Sequence, residues 1–136
     1  IIYNYCEPLI FVDLRECDFG DFENKNYKDL DGNEDYQKWI DSNGSMPFPN
    51  GENTEAFKRR SIRGFDKVIK NIIDNKINNA AIIVHGGTIM SILDKYSHPN
   101  KEFYFWQVDN CCGYLIEIDK ALWIKNNKRV NVLESI

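Results

Sequence analysis

The sequence predicts an α/β fold with a mostly parallel sheet and helices on both faces, and three observations carry that prediction. Ala80-Ala81-Ile82-Ile83-Val84 is an unbroken run of small and branched apolar residues, the pattern of a strand covered on both faces. His85, Gly86 and Gly87 follow at its carboxyl end, and Thr88 is placed to cap a helix that buries Ile89, Ile92 and Leu93. Residues 53–75 form a long amphipathic segment directly before the run, giving the helix–strand–helix order of α/β packing.

The strand, glycine turn and helix leave backbone N–H groups and the positive end of a helix beside the His85 imidazole. Such a corner suits an anion, and open α/β sheets gather ligands at the carboxyl ends of their strands.

Composition narrows the function classes. With 136 residues the chain is one domain, or a piece of one, and is long enough for a core. A hydrophobic share of 43% with 28% charged residues is ordinary for a globular protein. The net charge of −4 argues against nucleic acid as a partner, because a phosphate backbone selects a basic face. No apolar run approaches the roughly 20 residues of a membrane span, and no signal peptide is visible. The opening Ile1-Ile2-Tyr3 reads as a cut through a larger protein.

Cys6, Cys17, Cys111 and Cys112 form no CxxC pair, and the adjacent Cys111 and Cys112 do not readily bridge each other. They read as reduced, mostly packed thiols of a cytoplasmic protein. A zinc site built from them with His85 or His98 is the alternative.

In chain order, residues 1–8 end at Pro8 without a clear assignment, and residues 9–12 read as a strand or extended segment. Gly20 breaks any regular element in 14–23. A turn-rich patch over 24–33 holds a short helix around 27–30, and 34–40 reads as a helix with Tyr36, Trp39 and Ile40 on one side. Residues 41–52 are a loop, marked by Asn43-Gly44, Pro47, Pro49 and Asn50-Gly51. Asn53 or Thr54 caps the long helix, which buries Phe57, Ile62, Phe65, Val68 and Ile69, while Arg59, Arg60, Lys67 and Lys70 decorate its other faces. Residues 96–102 are a loop carrying an exposed His98. The alternation over 103–108 suggests a strand, 113–118 a second and 122–124 a third. Asn126-Asn127-Lys128 turns the chain into 130–133 as a hairpin end.

Three segments, in this order, resemble the histidine phosphatase superfamily, the phosphoglycerate-mutase-like fold. They are Leu14-Arg15-Glu16-Cys17-Asp18-Phe19-Gly20-Asp21-Phe22-Glu23; Pro49-Asn50-Gly51-Glu52 with Phe57 and Arg60 behind it; and Ile83-Val84-His85-Gly86-Gly87-Thr88-Ile89. Val108-Asp109-Asn110-Cys111 is similar to the strand entry that follows in the family. The resemblance covers residues 9–120.

It implies a phosphomonoester phosphatase working through a phosphohistidine, with a small phosphate ester as substrate and neither metal nor organic cofactor. By resemblance His85 contacts the phosphoryl oxygens, and Gly86 adds a backbone donor. Glu16 falls on the general acid, which then serves as base for water; a surface carboxylate paired with Arg15 is the plain alternative. Glu52 falls near the pocket, though a helix N-terminal charge would suit it equally. Phe22 and Tyr104 become candidate pocket walls.

The family's opening R-H-G motif, with the nucleophilic histidine, has no counterpart here, nor does its second phosphate-binding arginine. The chain therefore reads as the C-terminal portion of a histidine phosphatase domain spanning 1–136 and lacking its N-terminal strand. A non-catalytic phosphate-ester-binding or scaffold domain is the alternative. The compact stretch from Glu16 to Gly51 favours the small phosphatase branch that includes α-ribazole phosphatase over the glycolytic mutases.

Overall fold

The structure is a computed structural model and describes residues 7–136. Cys6 and most of the unassigned opening segment therefore lie outside the described residues.

Three of the helices begin where a side chain can accept from the free amides of the first turn. Helix α1 spans Glu34–Asp41, and the Asn33 side chain accepts from the Tyr36 amide at 2.9 Å. Helix α2 spans Thr54–Asp74; Asn53, not Thr54, is its cap, accepting from Glu55 and Ala56 at 3.0 and 3.1 Å. Its buried stripe runs through Phe57, Ser61, Phe65, Val68 and Ile69, the helical spacing the sequence displays. Helix α3 spans Gly86–Tyr96 and packs along α2.

Helix α4, Lys120–Ile124, starts at Asp119, whose carboxylate accepts from Ala121 and Leu122 at 2.8 and 3.0 Å. A third strand over 122–124 was the expectation, and the Asp119 cap is the physical reason a helix forms there instead.

Strands β1 (Ser97–His98), β2 (Tyr114–Glu117) and β3 (Val130–Ser135) form a sheet of order β1-β3-β2. β1 runs parallel to β3, with Ser97 opposite Val130. β2 runs antiparallel to it, with Glu117 opposite Asn131 and a register shift between Leu115 and Ile116. Among the described residues this sheet is small and mixed rather than mostly parallel. The expected hairpin of 122–124 with 130–133 does not form, because 120–124 is helical; β3 pairs with β2 instead, across the intervening α4.

Phe65 and Val130 are almost completely buried, and Ile69, Ile92, Leu93, Tyr96, Trp106 and Trp123 close the core around them. A polar strap crosses it: the Tyr96 hydroxyl donates to Asp66 at 2.9 Å, and Lys128 pairs with the same carboxylate at 3.0 Å.

The central apolar run differs most from expectation. Residues 80–84 belong to no strand, and none of their backbone groups is hydrogen-bonded among the described residues. Ile82 and Val84 pack on the core while Ile83 is 68% exposed, so one face is covered, not two. Strand identity depends on a ladder partner as well as on composition, and the described residues supply none.

Residues 103–106 likewise form a 3-10 turn that buries Trp106 and leaves Tyr104 and Phe105 exposed, because a four-residue aromatic cluster satisfies the alternation without any strand. Residues 9–11 are extended and 12–14 a 3-10 turn; residues 27–30 are turns without a helix. His98 is exposed as read, although Ser97 and His98 form the short β1 rather than a loop.

No helix is long and apolar enough to cross a membrane among the described residues.

Candidate active site

The site is assembled where the 14–20 segment, the 49–52 loop, α2 and the N-terminus of α3 converge. His85 is the N-cap residue of α3, with extended backbone and no side-chain capping bond. Its carbonyl accepts from Thr88 and Ile89 at 3.0 and 3.1 Å. Thr88, expected as the cap, lies inside the first turn, fully buried, with its hydroxyl unpartnered. Among the described residues the Gly86 and Gly87 amides have no backbone acceptor, so the positive end of α3 stands open. A Cβ added at Gly86 would meet no atom within 4 Å.

Glu16 closes one side of that opening. One of its carboxylate oxygens stands 3.2 Å from His85 Nδ1, and the other accepts from the Cys17 amide at 2.8 Å. The amide bond fixes the carboxylate; the remaining oxygen faces the imidazole. A Cβ on Gly87 would lie 3.3 Å from the Phe57 ring and 3.5 Å from Glu16 Oε1, a tight contact with the ring and an ordinary one with the carboxylate, so both stand close to the helix start. His85 and Glu16 are thus brought together with Gly86 beside them, and the Glu16 side chain is about one-third exposed. Arg15, the alternative partner, forms no ion pair with it among the described residues.

Glu52 is placed differently. Both of its oxygens are engaged by Arg60, at 2.9 Å from Nε and 2.6 Å from Nη2, and its own amide donates to the Asp18 carbonyl at 2.8 Å. Arg60 also donates to the carbonyls of Asp13, Arg15 and Glu16 at 2.9, 3.0 and 3.2 Å. Arg60 is therefore a buried pin that holds the Glu16 backbone, not the surface decoration expected of it. The signal was present in the sequence, since Arg60 falls within the buried stripe of α2, between Phe57 and Ser61.

The Arg60 guanidinium holds the Glu52 carboxyl below its ordinary value near 4.5, against the opposing effect of burial. A carboxyl whose value is depressed by folding adds stability above that ordinary value, and the contribution is lost as pH falls through the folded value. Urea midpoints measured from pH 7 to pH 3 should fall below about pH 4.5. In Glu52→Gln that part of the slope should flatten; an unchanged slope would contradict the assignment.

Phe22 is buried and edge-on to Tyr36 and Phe48, at centroid distances of 5.7 and 6.1 Å. With Phe19, Tyr36, Trp39 and Phe48 it lines a groove of about 400 Å³ whose lining includes neither His85 nor Glu16. Tyr104 is 70% exposed. Of the described cysteines only Cys17 is packed; Cys111 and Cys112 are exposed because they sit in the turn before β2. No cluster of three or more His, Cys, Asp or Glu residues that could hold a metal occurs among the described residues.

Neither the curated proteins nor the solved structures contain a match to this chain. A family model does match, over residues 5–129, and it takes in the 14–23 segment, the 49–52 loop and the His85 corner together: the chain belongs to the histidine phosphatase superfamily (branch 1).

Proposed function

We propose that residues 1–136 are the C-terminal portion of a single α/β domain that hydrolyses a small phosphate monoester through a phosphohistidine, with the nucleophilic histidine outside this chain. The observation that carries the reading is the 3.2 Å approach of Glu16 to His85 at the open N-terminus of α3. A phosphoryl group there meets the two free amides and the imidazole, which disperse the charge of its equatorial oxygens. In this reading Glu16 donates the proton to the leaving oxygen and then serves as base toward water.

The unpaired backbone row of residues 80–84 supports a missing neighbouring strand, and the short connection from Glu16 to Gly51 supports the small phosphatase branch resembling α-ribazole phosphatase. Gly86 belongs to the phosphate cradle in this reading, with Glu52 and Phe22 at its margin. The cytoplasmic setting expected from the cysteine usage stays part of it.

A second reading, a non-catalytic phosphate-ester-binding domain, is favoured by the histidine count. The chain has two histidines, and His98 stands on β1 rather than at the site.

Turnover of an aryl phosphate separates the two. Residues 1–136 alone should be inactive, and the chain extended upstream to an R-H-G should be active. In that form His85→Ala and Glu16→Ala should each lose roughly 10²-fold or more. Phosphate binding without turnover in the extended chain would favour the binding domain. Turnover by residues 1–136 themselves would refute the placement of the nucleophile.

A further inference from the structure

Cys111 and Cys112 are adjacent thiols that the proposed chemistry leaves unused. Both are exposed. They end a turn closed by the Cys112 amide donating to the Asp109 carbonyl at 3.1 Å. The turn rests on a fixed base, because Gly113 and Ile136 exchange backbone hydrogen bonds of 2.8 and 2.9 Å just beyond the β2–β3 ladder.

Cys111 adopts φ +65°, the left-handed region that this turn position normally reserves for glycine or asparagine. Asn110 and Gly113 lie on either side of the pair. A cysteine held in a conformation that disfavours it breaks a local rule, and such breaks concentrate where a side chain has a task.

The chemistry narrows the ligand. Consecutive Cα atoms are about 3.8 Å apart across a trans peptide, short of the roughly 4.4–6.8 Å that an unstrained disulfide spans. A direct sulfur–sulfur bond is thus disfavoured, whereas one large soft atom placed between the sulfurs relaxes the ring. Zinc would demand four ligands, and the described residues hold no cluster of even three. Thiolates select soft centres.

We propose that Cys111 and Cys112 form a two-thiol site for a trivalent organoarsenical or a similar thiophilic metalloid. With an arylarsenic(III) oxide, two As–S bonds form and the As–O bonds break. The two thiol protons leave with the oxygen as water, and arsenic remains trivalent. The other described thiol does not compete: Cys17 is buried, and desolvation, reinforced by the Glu52 and Glu16 charges, pushes it up to about 12.

Phenylarsine oxide with intact-mass detection tests the site. The reduced chain should take up one phenylarsenic group, released by a dithiol but not by an equal concentration of monothiol. Cys111→Gly, which suits the left-handed backbone and so preserves the turn, should abolish dithiol-type uptake, and Cys112→Ser should do the same. The Cys6→Ser/Cys17→Ser double variant should retain it. Uptake that survives Cys111→Gly, or that disappears with Cys6 and Cys17, would overturn the proposal.

Discussion

Arg60→Met should cost roughly 3–5 kcal/mol, the range found when one partner of a buried ion pair is removed. The guanidinium is 6% exposed and bonds both Glu52 oxygens and three main-chain carbonyls. Its loss leaves a near-buried carboxylate without a counter-charge and three acceptors without a donor, each a separate penalty. The melting temperature should drop by roughly 10–20 °C for a chain of this size. Arg60→Met/Glu52→Leu should recover part of that, because the stranded charge is removed along with its partner. Thermal unfolding of the two variants checks this, and a loss under about 1 kcal/mol for Arg60→Met would show that the pair is screened rather than buried.

Gly20→Ala should be the next most damaging change, at roughly 2–4 kcal/mol. Gly20 has φ +55°, and a Cβ there would lie 2.1 Å from the Pro49 carbonyl oxygen and 2.5 Å from the Gly51 nitrogen. Those atoms are backbone and cannot step aside as a side-chain end would. The same crossing is held by the Asp21 amide donating to the Pro49 carbonyl at 2.9 Å and by the Asn50 side chain donating to Asp21 at 2.9 Å. Separating the strands of this crossing would also release the segment that carries Glu16. Gly113→Ala, with nothing within 4 Å of its Cβ, is the control and should stay within about 0.5 kcal/mol. Equal denaturation midpoints for the two alanine variants would refute the close-approach explanation.

Helices α1, α2 and α3 are legible in the sequence because their signals are local. An asparagine before Glu34 and another before Thr54, each followed by apolar residues at helical spacing, fix α1 and α2 without reference to the rest of the chain. Residues 80–84 were misread as a two-sided strand because composition reports what a segment can bury, not what lies beside it. Residues 103–106 and 122–124 were misread because three or four apolar residues fit several periods; for α4 the Asp119 cap carried the missing information. At the site, the corner after residues 80–84 points to His85 and the family resemblance to Glu16, but their contact is not legible, since it depends on how α2 and α3 bring distant segments together. Arg60 stands in the motif that carries the family resemblance, yet it reads as surface decoration because an arginine in a helix is usually solvated; its place in the buried stripe with Phe57 and Ser61 marks it as internal.

The exposed row at residues 80–84 has a consequence for how the chain behaves among other chains. Its amides and carbonyls are unpaired among the described residues, and Ile83 within it is 68% exposed. Natural edge strands blunt such a template with lysine, proline or a bulge, and Ala80-Ala81-Ile82-Ile83-Val84 contains none of these. In residues 1–136 taken by themselves, an extended segment of matching hydrophobicity can add to it, including the same five residues of another molecule, which places the hazard of self-templated fibril growth in the strip immediately preceding the site histidine.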